Sequence, residues 1–519
     1  MSRRDALARC INLEDITSSK QNAEVLRKLR DNDQNWGWGY RTALYITGDE
    51  DAVDEENVFI VREEDDLGWL GYFIGRNQSV HDLTIDFLPQ DDQRVDAFIE
   101  GVNCNRSLRE FSILADRDIG ISLQNLCSFF RENNNLRAVY LYHSEIGREC
   151  ARELALALGK RRVKTLRHLS FRNNNLGDEG FADIVQALWT QPQFEELICS
   201  NNNIGRTGCM ALGALMRGKI SNLRTLIVTG IAVGDAGLQA LVPGLRNNKK
   251  LETFITPDQI TAVGLRYLSP FLHSSSCSLC FLNVKCMRLG DEEATALADA
   301  LKGNKSLETL YLRYPEDEEC EVTGAGWSTF SKLLCDTSTI NNTYLSNHTL
   351  TYVGAPNGMD DTPGNIVGLL KMNAAVKNKK HLGSRDVMQC LTRSKILMSH
   401  PDLDMQPLFV YKLKLLPLIM NWFRRSIVLC QLYDDKVGVW RESPSKLRRR
   451  ELSAVFKFVR DMPLLVIEGF WTNVLNESQA KKQRLRAEKR KYQQMIEKAD
   501  ERIQRASGNE MCALKWLRR

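Results

Sequence analysis

The sequence predicts an α/β solenoid with a parallel inner sheet, outer helices, an α-helical C-terminal cap and a charged extension. Three observations predict it. The chain is self-similar at about 28 residues, the signature of a stacked array. Within each copy the apolar spacing changes from two to about 3.6, so a strand is followed by a helix. The composition of the 519 residues, 43% apolar and 26% charged, is too apolar for a disordered chain and too polar for a membrane protein. The longest greasy stretch, Leu408 to Phe423, is broken by Lys412, Lys414, Pro417 and Asn421 and cannot span a bilayer.

Residues 1–65 read as a polar, acidic, partly disordered segment with one helix around Ala23 to Leu29. Residues 49–66 hold ten acidic residues and one arginine, net −9, and read as a solvated loop. Leu67 to Asn77 matches the end of a repeat helix such as Leu297 to Asn304. Its aromatics, Trp69, Tyr72 and Phe73, are expected to cap the N-terminal end of the stack, which would otherwise expose core.

The array occupies residues 66–350 in about ten copies. Clear copies start at Leu108, Leu136, Leu166, Phe194, Leu223, Leu251, Leu279 and Leu307, at spacings of 28, 30, 28, 29, 28, 28 and 28. Weaker copies start at Val80 and Ile340. In the best copy Leu166, Leu169, Phe171 and Leu176 occupy positions 1, 4, 6 and 11 and point into a core. Positions 3 to 6 make a strand with alternating faces. Asparagine at position 9, as in Asn174 and Asn202, can bond neighbouring backbone where the chain leaves the strand. His348 is expected to take the same place in the last copy. Gly177 to Leu188 and Gly290 to Leu301 then show helical spacing, with acidic residues at the helix start.

One strand and one helix per copy is the leucine-rich repeat. The Leu-x-x-Leu-x-Leu-x-x-Asn-x-Leu-Gly pattern resembles the ribonuclease-inhibitor subtype. That resemblance implies a curved solenoid whose stack is the folding unit. A second resemblance begins at Cys335. The run through Tyr344 to Ser346, Asn347, His348, Thr349 and Leu350 looks like a segment of diatom ribonuclease-inhibitor-like repeat proteins. Their later elements are matched by Leu369-Leu370-Lys371-Met372-Asn373, by Lys395-Ile396 with His400, and by Leu416-Pro417 with Trp422. Met372 stands where the pattern has leucine.

Residues 351–471 read as a helical cap over the C-terminal end of the array, and residues 472–519 as a basic, charged helix or tail. Residues 440–519 carry 20 basic and 10 acidic side chains, net +10. Lys481 to Arg505 reads as a solvated helix. Its alternatives are a short coiled-coil seam through Tyr492, Ile496 and Ile503, or contact with a phosphate backbone.

Chemical motifs are scarce. Gly213 to Lys219 mimics a phosphate loop, but Ile220 stands where a magnesium-binding hydroxyl belongs. Cys277 and Cys280, with Cys286 nearby, lack the second ligand pair that zinc requires and read as structural. The seven histidines form no zinc motif, and no nucleophile elbow occurs. The sequence assigns no catalytic, cofactor-binding or metal residue. With no apolar N-terminal stretch of signal length, the fourteen cysteines read as reduced thiols of a cytoplasmic or nuclear protein.

Binding therefore falls to side chains between the core leucines, on the concave face. These are Tyr140, Tyr142, His143, His168, Arg172, Asn173 and Asn201 in one cluster, and Tyr311, Arg313, Tyr314 and Tyr344 in another. Tyrosine and arginine are enriched at binding hot spots. Position 2 forms a separate column in which Arg167, Glu195, Arg224 and Glu252 alternate in sign and are expected to pair between repeats. The resulting expectation is a non-catalytic protein-interaction scaffold. The alternatives are a GTPase-activating protein, by analogy with the Ran-type family and with Arg109 and Arg137 as the arginines to test, or an adaptor whose basic tail contacts nucleic acid.

Overall fold

A computed structural model describes residues 10–33, 43–52, 56–63, 65–89, 93–114, 126–160, 164–218, 222–231, 233–313, 321–354, 362–377 and Lys395. The chain divides into two compact units, residues 1–399 with 429–441, and residues 400–428 with 442–519. Every described residue belongs to the first. The expected basic tail, and all of the expected cap beyond residue 377 except Lys395, lie outside the described residues.

Among the described residues, twelve parallel strands form one open sheet. They are β1 (Ala43–Thr47), β2 (Val58–Ile60), β3 (Asp82–Ile85), β4 (Glu110–Ile113), β5 (Ala138–Tyr142) and β6 (His168–Arg172). Then come β7 (Glu196–Ile198), β8 (Thr225–Ile227), β9 (Thr253–Ile255), β10 (Phe281–Lys285), β11 (Thr309–Arg313) and β12 (Tyr352–Gly354). From β3 to β12 each strand pairs with its chain neighbour. At the other end the order is β3-β1-β2.

Sequence register becomes spatial register. Leu83, Phe111, Val139, Leu169, Leu197, Leu226, Phe254, Leu282, Leu310 and Val353 stand side by side on adjacent strands. All ten are buried. Each buried side chain of this size stabilises by about 1.5–3 kcal/mol, and only the neighbouring copies supply the apolar surroundings.

Helices follow most strands. Among them are α1 (Lys20–Asp31), α2 (Leu67–Arg76), α3 (Gln93–Val102), α4 (Cys127–Glu132), α5 (Arg148–Gly159) and α6 (Gly177–Leu188). Further along are α7 (Arg206–Gly218), α8 (Gly234–Asn247), α9 (Ala262–Leu272), α10 (Asp291–Ala300), α11 (Gly324–Leu334), α12 (Ile340–Leu345) and α13 (Gly364–Lys377). Packed helices sit about 8–10 Å apart, whereas strands sit about 4.8 Å apart. The helices pack on one another in chain order and leave one face of the sheet open.

Two asparagine columns tie the copies together. At the strand exits, Asn174 donates to the carbonyls of Leu141 and Arg172, and its Oδ1 accepts from Ser144 and Ile146. Asn202 donates likewise to Phe171 and Ser200. This is the position-9 role. The second column was not read from the sequence. Asn77, Asn105, Asn133, Asn304 and Asn347 each stand three residues before a position-1 residue and accept its N–H at 2.7–3.0 Å. Asn105 and Asn304 also donate back to helix-end carbonyls of the preceding copy, Ile74 and Leu272.

Four expectations change at the ends. Ala43–Thr47 and Val58–Ile60 are strands of the sheet, the second wholly buried, and Asp65 is buried, accepting from Arg62 and Asn22. The reading of 49–66 as wholly solvated loop is corrected accordingly. The aromatics of α2 do not end the stack, since α1 packs against β2 and α2. The last described copy starts at Leu350, not Ile340. Residues Ile340–Leu345 are a helix, capped by the Thr339 hydroxyl, which accepts from Asn342 at 3.0 Å. His348 consequently precedes a strand instead of leaving one, and its Nε2 lies 3.1 Å from the Tyr344 carbonyl.

Candidate protein-binding face

Alternation along each strand sends every second residue to the open face. One open column runs Asp82, Glu110, Ala138, His168, Glu196, Thr225, Thr253, Phe281, Thr309 and Tyr352. The next runs Thr84, Ser112, Tyr140, Ser170, Ile198, Ile227, Ile255, Asn283 and Tyr311. A third is Tyr142 beside Arg172, and Lys285 beside Arg313.

The structure brings Tyr140, Tyr142, His168 and Arg172 together on β5 and β6. The Arg172 guanidinium lies 5.3 Å from the Tyr142 ring centre. His168 Nδ1 is 3.7 Å from Glu196 Oε1. That neighbouring carboxylate raises the His168 pKa, against the effect of burial. Burial pushes the Tyr140 phenol up to about 12, with Glu110 and Glu196 adding to the effect. Burial also raises the Glu110 carboxyl, as does the negative charge of Asp82. This end of the face is acidic and half-buried.

His143, Asn173 and Asn201 have another role. They occupy left-handed backbone positions just past β5, β6 and β7, with φ of 49°, 55° and 55°. Asparagine and histidine tolerate that region better than most residues. Asn173 Nδ2 meets His143 Nε2 at 2.6 Å, and Asn201 Nδ2 donates to Asn173 Oδ1 at 2.5 Å. The next position is Gly230, φ 69°, where the Asn201 carboxamide fills the space a Cβ would need. The three side chains thus brace one rim of the face.

Tyr311 stands between Phe281 and Tyr352, edge to face with both, at ring-centre distances of 5.0 and 5.2 Å. Arg313 is exposed on the same strand. Tyr344 is not on the sheet. It sits on α12, 60% exposed, because the last copy starts ten residues later than expected. Tyr314 lies outside the described residues.

Sequence reasoning passed over Ile198, Ile227, Ile255, Phe281, Asn283 and Tyr352. Polarity alone assigns isoleucine and phenylalanine to a core. Their position, 3 or 5 within the copy, was the signal that places them outward. Arg109 and Arg137 are exposed at the strand starts, and the Arg137 N–H donates to the Arg109 carbonyl at 2.6 Å. In the same column Arg167 pairs with Glu195 and Arg224 with Glu252, each at 3.0 Å. These are two separate exposed pairs, each worth at most about 1 kcal/mol.

Among the described residues no group of His, Cys, Asp or Glu could hold a metal ion. Cys199, Cys209 and Cys286 are buried, and burial raises all three thiols, the latter two to about 12. Gly213 lies within α7, against the Ala240 carbonyl, so this run is not a phosphate loop. No described helix is long and apolar enough to cross a membrane.

A leucine-rich repeat family model matches residues 164–184, the best copy. The chain is 28% identical to ribonuclease inhibitor of Sus scrofa over 250 residues, 47% of this chain and 53% of the relative. It is 26% identical to ribonuclease inhibitor of Mus musculus over 262 residues, 49% of this chain and 55% of the relative. The chain spans about half the length of these curated relatives. With the repeat, the sheet and these likenesses together, the chain is a ribonuclease-inhibitor-like leucine-rich-repeat protein.

Proposed function

We propose that this ribonuclease-inhibitor-like chain is a non-catalytic scaffold that binds a protein partner on its concave face. One observation carries the reading. The open face presents aromatic, aliphatic and charged side chains in register across consecutive strands. Such a surface suits a protein, whose interfaces bury about 800 Å² per partner. The relatives' printed name, ribonuclease inhibitor, describes action on another protein, which supports the same class. Buried Cys199, Cys209 and Cys286 stand as thiols and fit a reducing compartment, cytoplasm or nucleus.

The test is a pull-down from native lysate with the full chain and two variants. Tyr140→Glu alters the concave face, and Trp189→Ala alters the exposed end of α6. The proposal expects a retained protein that Tyr140→Glu loses and Trp189→Ala keeps. Equal retention by all three chains overturns it.

A further inference from the structure

The central part of the concave face differs in chemistry from its acidic end. Ile198, Ile227 and Ile255 are register partners on β7, β8 and β9, all partly exposed. Asn283 continues the column on β10, and Tyr311 follows on β11. Phe281 and Tyr352 flank Tyr311. Four strand gaps give this strip a length of about 19 Å.

Asn283 is the unusual member. It is 7% exposed, and its Oδ1 has no hydrogen-bond partner. Buried polar groups are normally paired, because an unmade bond leaves their desolvation uncompensated. That oxygen is closed to solvent, so an incoming backbone N–H supplies the missing donor only as the Asn283 amide turns toward the open face. A helix interior spends its N–H groups internally, whereas an extended segment offers both N–H and C=O. Charge sets the end of the segment. Lys285 and Arg313 are register partners at the strand exits beside this strip. Asp258 pairs with Lys285 at 3.1 Å, and no described carboxylate pairs with Arg313.

We infer that the strip from Ile198 to Tyr311 takes an extended, aliphatic-rich segment of a partner protein that carries a carboxylate for Arg313. Asn283 bonds the segment's backbone, and the isoleucines and aromatics cover its side chains. About six extended residues span the strip at ~3.3 Å each. This rests on the concave-face reading and adds the partner's chemistry to it.

The experiment pans a displayed library of random peptides, longer than the strip, on the full-length chain. The expected enriched peptides are rich in Leu, Ile, Val or Phe and contain Asp or Glu. Their affinity falls at least about tenfold on Ile227→Glu and on Asn283→Leu, the size of a hot-spot loss. Arg313→Glu lowers affinity for the acidic peptides only. Ile227→Ala repeats the measurement with a milder change, and a thermal melt of each variant verifies folding. No enrichment, a basic consensus, or peptides that bind Ile227→Glu and Asn283→Leu as well as the parent overturn the inference. Peptides lost on Tyr140→Glu but not on Ile227→Glu leave the concave-face reading standing and this one refuted. Peptides indifferent to all of these variants refute both.

Discussion

His168 Nδ1 and Glu196 Oε1 lie 3.7 Å apart across the β6–β7 pairing. The neighbouring Glu196 carboxylate favours the protonated imidazole and raises the folded-state pKa of His168 above 6.5, against the effect of burial. A raised folded pKa contributes stability fully present below the unfolded value and lost as pH rises through the folded one. The melting-temperature gap between the parent and His168→Gln is therefore expected to shrink as pH rises from below 6.5 to well above it. A gap that is constant over that range, measured by thermal denaturation, contradicts the pairing.

The C-terminal end of the described array has the opposite pH response. Burial, with the Lys395 charge, lowers the His348 pKa from 6.5 to about 4. The neutral imidazole stabilises the fold above the unfolded value, and that stability is lost as pH falls through about 4. His348→Gln is expected to move the acid unfolding midpoint to lower pH. Circular dichroism against pH measures it.

Lys395 is 1% exposed and donates to the carbonyls of Leu334 and Asn347 at 2.7 and 3.2 Å. Burial lowers its pKa from 10.5 to about 7. Its contribution is thus present above the unfolded value and falls away as pH drops through about 7. Lys395→Met is expected to remove the rise in stability across that window, read by denaturant titration at a series of pH values.

Buried asparagines and exposed ion pairs differ in weight. Asn304→Ala leaves the Leu307 N–H and the Leu272 carbonyl without their partner. The expected loss is about 1–3 kcal/mol. Arg167→Ala breaks only an exposed pair with Glu195, and less than about 1 kcal/mol is expected. Urea unfolding of both variants tests the order. At Gly71, between α2 and α3, an added Cβ would collide with the Phe98 carbonyl. Gly71→Ala is expected to cost about 1–3 kcal/mol by overpacking.

The inner strands were legible because their leucines recur in register, and register in sequence becomes register in the sheet. The strands β1, β2 and β12 were less so. Leu44, Ile46 and Val58 to Ile60 follow no 28-residue spacing, and an intervening acidic run hides a buried strand. At the other end the copy at Leu350 is displaced by the α12 helix. Its mark was in the sequence all the same, since Asn347 precedes Leu350 by three residues as Asn304 precedes Leu307. The open face of the sheet was half legible. Tyr140, Tyr142, His168, Arg172, Tyr311 and Arg313 are on it. The isoleucine column was hidden because an outward apolar residue looks like core until its position in the copy is used.

The most direct measurement is site-specific photocross-linking of the full chain in native lysate, with the reactive group at Tyr140 or at Trp189. The concave-face account expects one protein species cross-linked from Tyr140 and none in common from Trp189. The same species captured from Trp189, with nothing from Tyr140, contradicts it.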